Sequence, residues 1–128
     1  MKIVNERPPI WDRAAEVFPL TNNVIFAWGD TIYNPGGFDI PVWLVEHEKV
    51  HQLQQAGDPE EWWEQYLVDA EFRFHMELAA HQREYRSYCQ NNKDRNKQAM
   101  YKRIVAKKLS APLYGNMITS FDAMRRIT

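Results

Sequence analysis

A chain of 128 residues with 45% hydrophobic and 13% aromatic residues reads as one globular domain over 1–128, long enough to bury a core. A formal charge of −1 gives no bulk electrostatic case for nucleic acid or a membrane surface as partner, and no run approaches the ~20 apolar residues of a membrane span. Cys89 is the only cysteine, which excludes an internal disulfide and fits a reducing compartment, and Met1 to Ile10, broken by Pro8 and Pro9, does not read as a signal peptide.

Residues 1–23 read as an irregular arm with at most one short helix near Trp11–Val17, ended by Pro19. From Val24 to Tyr33, β-forming residues flank Gly29-Asp30, which predicts a hairpin. Asn34-Pro35-Gly36-Gly37 breaks the chain, and Pro41 opens a helix that ends at Gly57. Asp58-Pro59-Glu60-Glu61 is a cap, a proline at the first helical position and an acidic first turn, so a short helix through Trp62, Trp63 and Tyr66 follows. A long helix from about Asp69 to Gln90, a basic helix capped by Asp94 and running to about Leu109, a turn at Leu113-Tyr114-Gly115 and a last helix from Thr119 or Ser120 to Ile127 complete the chain. The expected class is mainly α with a small β-hairpin or sheet placed before the second helix, an α+β arrangement.

That second helix carries His47-Glu48-Lys49-Val50-His51. Residues four apart share a helical face, so both imidazoles reach one cation, and H-E-x-x-H on a helix reads as a zinc site with its own general base. Glu48 points about 100° away from His47, toward a water on the metal rather than the metal itself. Zinc lowers the pKa of that water toward neutrality and the carboxylate takes its proton. The motif arises by chance in a chain of this composition about once in a hundred, and the bland alternative is two unrelated helix histidines.

A catalytic zinc wants a third protein ligand, and the long helix offers Glu71, His75, Glu77, His81 and Glu84. With Glu77 at 0° on a helical wheel, Arg73, His81 and Glu84 share its face, and the small Ala70 and Ala80 let a neighbouring helix approach. Glu71 and His75 fall on the back, where solvated charge is expected. Glu77, His81 and Glu84 remain, and Glu77, followed by an x-x-Ala step, is the adopted ligand. His81 and Arg73 are expected to orient ligands, with His81 also an alternative ligand; a core histidine, and an ion pair of Arg73 with Glu77 or Glu84, are the competing structural readings.

Several blocks go beyond the zinc motif: Trp28-Gly29-Asp30-Thr31-Ile32-Tyr33-Asn34-Pro35, the motif extended to Gln54-Gln55, Asp58-Pro59 with Trp62-Trp63 and Tyr66-Leu67, Phe72-Arg73 with Glu77 and Ala80, and Leu109-Ser110 with Pro112-Leu113-Tyr114-Gly115. Together they resemble small zincin-like metallopeptidases encoded by bacteriophages and prophages, over roughly residues 24 to 127. The resemblance implies a minimal zincin-like, gluzincin-type fold with one zinc per chain on His47, His51 and a glutamate of the following long helix, which supports Glu77 independently. It implies a peptide or protein substrate and a place in the bacterial cytoplasm, with virion association as an alternative. The chain departs where an aromatic is expected after Ala80 and His81 stands instead.

In zincins, as the resemblance suggests, a strand beside the active-site helix pairs with extended substrate. Thr31, Ile32 and Tyr33 are that strand here, unless it is fully paired within the fold. Amide hydrolysis also wants a hydrogen-bond donor for the developing oxyanion, for which Tyr114 stands first, ahead of Tyr33, Tyr85 and Tyr88. Trp62 and Trp63, on different faces, read as a core residue and a partly exposed neighbour. The basic stretch Lys93 to Lys108 reads as a solvated helix face. Gln54, near the histidine face, is expected to bond a ligand or the hairpin backbone.

The function expected is a zinc-dependent hydrolase, most simply a peptidase. The alternative is a phage structural or accessory protein stapled by a zinc that turns nothing over.

Overall fold

The computed structural model describes all 128 residues. It is mainly helical with one small sheet. Strands β2 (Phe26–Trp28) and β3 (Thr31–Tyr33) form the expected hairpin. Its two-residue turn, Gly29-Asp30, needs the left-handed backbone that Gly29 adopts at φ 59°.

The arm is less irregular than its sequence suggests. β1 (Lys2–Val4) lies parallel to β3, and α1 (Trp11–Ala15) follows it. The strand order is therefore β1-β3-β2, with β3 in the middle. Three exposed or half-exposed residues leave little hydrophobic pattern to read in β1; its place comes from backbone bonds such as Lys2 N–H to Asp30 O and Asn34 N–H to Val4 O.

Helix α2 (Val42–Gln55) begins after Pro41 and ends where Ala56, at φ 51°, and Gly57, at φ 83°, turn the chain. Asp58 caps α3 (Pro59–Val68) through Glu61 N–H, and Asp69 caps α4 (Ala70–Asn91) through Phe72 N–H. Asp94 caps α5 (Arg95–Leu109), a 3-10 turn spans Pro112–Tyr114, and Thr119 caps α6 (Ser120–Ile127). No helix is long and apolar enough to cross a membrane.

Two apolar clusters hold these elements. Phe74, Leu78, Val105, Leu109, Ala123 and Ile127 pack α4, α5 and α6 together. Ile10, Ala14, Phe26, Trp62, Trp63 and Tyr66 pack the arm, the hairpin and α3. Trp62 and Trp63 are both buried, correcting the expectation that one would be partly exposed: α3 is wedged between hairpin and α4, so both its flanks are covered. Between the clusters runs the α2–α4 seam, and it is polar.

Candidate metal centre

On α2, His47 and His51 turn their Nε2 atoms toward each other at 3.1 Å. From α4, Glu77 Oε1 comes within 3.1 Å of His47 Nε2 and 2.8 Å of His51 Nε2. The ligand–ligand edge of a tetrahedral site with bonds of about 2.0–2.1 Å is about 3.3 Å. The triangle is only slightly tighter than that, and all three residues are buried. The donors suit a divalent ion, and three buried polar atoms aimed at a common point have no apolar packing role.

Each imidazole is fixed from behind. His47 Nδ1 is 2.7 Å from Glu84 Oε1, and His51 Nδ1 is 2.8 Å from Gln54 Oε1. Partners at Nδ1 leave Nε2 as the nitrogen that could face a metal ion. Gln54 is itself held by donating to Met76 O at 3.0 Å. Glu84 Oε1 also meets His81 Nδ1 at 3.0 Å, while its Oε2 accepts from the Tyr101 hydroxyl. Glu77 Oε2, turned away from the histidines, accepts from the Tyr66 hydroxyl at 3.0 Å. A second buried group, His47, His81 and Glu84, could also gather about an ion. It shares His47 with the first, and its short contacts are those that orient His47.

Burial disfavours charge on every member of this cluster, and their mutual attraction decides which stay charged. Burial lowers the pKa of His47 and His51, but the surrounding carboxylates, Glu77 foremost, together outweigh it and both are raised. Burial raises Glu77, but the two histidines hold it well below the usual carboxylate range. Glu84 is lowered too, because hydrogen bonds from His47 and His81 outweigh its burial. His81, by contrast, is pushed down by burial toward the neutral form.

Glu48 stands apart. Its carboxyl is buried and its pKa is raised, chiefly by that burial, with His47 and His51 pulling the other way. Oε2 has no hydrogen-bond partner. Leaving a buried carboxylate oxygen unpaired costs more than a neutral group would.

The helical phase read from the sequence holds: Glu77, His81 and Glu84 face α2, while Glu71 and His75 are exposed. Arg73 is a correction. It touches neither Glu77 nor Glu84; its Nε donates to Leu113 O at 2.8 Å and its Nη1 to Tyr66 O. One turn ahead of Glu77, its long side chain reaches past the ligands and straps the 3-10 turn to the end of α3. The strap brings Tyr114 beside Tyr66, where burial raises the pKa of both hydroxyls and keeps them protonated.

Thr31, Ile32 and Tyr33 are also corrected as a substrate-pairing strand. β3 is central and bonded to β1 on one side and β2 on the other, so it has no free edge. The chain on the site's side is β2 and the residues before it, Val24 to Ala27. Gln55 ties this hairpin to α2, accepting from Gly29 N–H and donating to Ala27 O, each at 2.8 Å. The two roles foreseen for Gln54 thus divide between neighbours, with Gln54 on the histidine and Gln55 on the hairpin.

Of the four tyrosines weighed, only Tyr114 lines the cavity above the triad, a space of about 690 Å³. Tyr66, Tyr101 and the anchoring role of Glu84 went unread. Tyr66 carried a usable signal, lying four residues after Trp62 on the face that meets His51. Tyr101 carried none, since it reaches Glu84 only through the packing of α5 on α4. Comparison with protein-family models, with curated proteins and with solved structures finds no match to this chain.

Proposed function

We propose that the chain is a zinc-dependent hydrolase, most simply a peptidase of the minimal gluzincin type, with one zinc on His47 Nε2, His51 Nε2 and Glu77 Oε1. The observation that carries this reading is the unpaired Oε2 of buried Glu48, one residue from His47. A purely structural site has no use for a buried carboxylate that nothing satisfies, whereas a general base must keep an oxygen free for its proton.

Zinc bound there supplies a Lewis acid for a carbonyl and acidifies a water. Glu48 Oε2 takes the proton of the attacking water, and the raised pKa of its carboxyl helps it hold that proton for the leaving amine. Glu84 and Gln54 keep the two imidazoles in register, and the Tyr66 hydroxyl fixes the second oxygen of Glu77. Tyr114, protonated and lining the same cavity, is the donor for the developing oxyanion. Extended substrate lies along the segment leading into β2 rather than along β3. The resemblance to phage-encoded zincins supports a peptide or protein substrate and a site of action in the bacterial cytoplasm or with a virion.

Glu48→Gln tests the mechanism. The amide keeps the size but cannot take a proton near neutral pH, so hydrolysis of unfolded casein falls by about 10²–10⁴ while zinc content stays the same. Full activity in the variant overturns the mechanism, and loss of zinc would make Glu48 a ligand.

A further inference from the structure

Outside the metal cluster the cavity is walled mainly by apolar side chains, with Asn23 the one uncharged amide among them. Phe18 and Leu20 come from the arm, Val24 and Ile25 from the approach to β2, Phe38 from the loop before α2, and Leu113 from the 3-10 turn. A cavity of about 150 Å³ holds one benzene ring, so 690 Å³ takes several large side chains rather than one. Beyond the metal cluster the one charged residue in its lining is Lys108, which is solvent-exposed, so a charged side chain lying against the apolar walls meets no partner there. Val24 and Leu113, on separate segments of the wall, are 36% and 41% exposed, which leaves apolar surface open at the mouth.

The same wall carries a main-chain feature. Ile25 stands one residue before β2, and neither its N–H nor its C=O is hydrogen-bonded within the chain. Ala27 C=O, two residues on, is already taken by Gln55 and Trp63. Ile25 thus offers this wall both an open donor and an open acceptor, beside apolar side chains. An extended polypeptide would satisfy both: its backbone at Ile25, its alternate side chains in the apolar space.

Resting on the hydrolase reading, we propose that the substrates are extended or unfolded polypeptide segments with large apolar side chains around the scissile bond. Small polar or charged peptides fit these walls less well.

The test uses the full-length zinc-loaded Glu48→Gln protein and two blocked tetrapeptides, acetyl-Gly-Leu-Phe-Gly-amide and acetyl-Gly-Ser-Asn-Gly-amide. Trp62 and Trp63 line the cavity, so intrinsic fluorescence reports occupancy. The apolar peptide is expected to bind at least about tenfold tighter, the worth of burying one leucine-sized side chain. Val24→Asp and Leu113→Asp, at exposed positions, should each cut that preference while leaving zinc content and melting temperature unchanged. Equal affinities, or a preference untouched by both substitutions, overturn the proposal. Cleavage sites of the unsubstituted protein on unfolded casein, read by mass spectrometry, separate it from the hydrolase reading. Cuts beside small polar residues overturn the substrate class and leave the hydrolase standing. Apolar binding without any cleavage keeps the substrate class as a binding preference and removes the hydrolase; neither binding nor cleavage removes both.

Discussion

Helix α4 borders two interiors of opposite kind. Toward α5 and α6 it presents Phe74 and Leu78 to Val105, Leu109, Ala123 and Ile127, an apolar cluster whose ionisable neighbours are Tyr85, Tyr101 and Tyr114. Toward α2 it presents Glu77, His81 and Glu84 to His47, Glu48 and His51, six buried ionisable groups in one seam. The apolar side is stabilised by burial, which neither protons nor metal alter. The seam replaces that burial with interactions that hold only while each group has its partner, so its stability depends on what occupies it.

Glu77→Ala should break the seam most. It removes the one carboxylate that faces both imidazoles and leaves two buried histidines facing each other. Zinc affinity should fall by more than the ~10–100-fold that loss of an outer partner costs, while Glu71→Ala and His75→Ala change nothing measurable by zinc titration. Comparable losses from all three would mean that the triad is not the metal site.

Leu109→Ala acts on the other side. Leu109 is fully buried, so truncation should cost about 2–5 kcal/mol in denaturant unfolding. That loss should be the same in metal-free and zinc-loaded protein. A cost that depends on zinc would show the two interiors to be coupled.

Glu84→Gln is gentler. Zinc affinity should drop about 10–100-fold, because His47 loses the anion that orients it while Nε2 remains a ligand. An unchanged affinity in isothermal titration would remove Glu84 from the support of His47.

The smallest and most diagnostic effect is with pH. His47 and His51 have raised pKa values, so in metal-free protein their contribution is complete below the ordinary 6.5 and is lost as pH rises through the raised values. Glu48, raised from 4.5, acts in the same direction at lower pH. Glu77 and Glu84 are lowered, so theirs is present above 4.5 and lost as pH falls through the lowered values. His81, held neutral by burial, works against His47 and His51. Metal-free protein should therefore weaken as pH rises above 6.5, through the raised values of His47 and His51. Zinc binding, which must displace the imidazole protons, should strengthen over the same range. Thermal melts with and without zinc should diverge as pH rises; parallel curves would show that the histidines are not the zinc ligands.

Much of this was legible along the chain because the signals are local. Asp58-Pro59, Asp69, Asp94 and Thr119 start helices by bonding backbone within three residues of themselves, and Gly29-Asp30 turns a hairpin by its own backbone freedom. His47, Glu48 and His51 are likewise fixed by helical spacing, and the phase of α4 followed from periodicity. Where the reading failed, the cause lay in contacts between distant segments. β1 has no pattern of its own and pairs only because β3 presents an edge to it, which in turn closes Thr31–Tyr33 to any substrate. The direction in which Arg73 extends depends on where Leu113 lies.

The sequence by itself determined the helices, the hairpin and which side chains of α2 and α4 share a face, since each depends on residues within a turn or two of one another. Only the tertiary structure decided which of Glu77, His81 and Glu84 meets both imidazoles. Glu77 lies opposite the gap between His47 and His51, while Glu84, seven residues further along the helix, reaches the far nitrogen of His47 and orients it. A helical wheel fixes angle but not height along the axis, and height is set by how two helices pack.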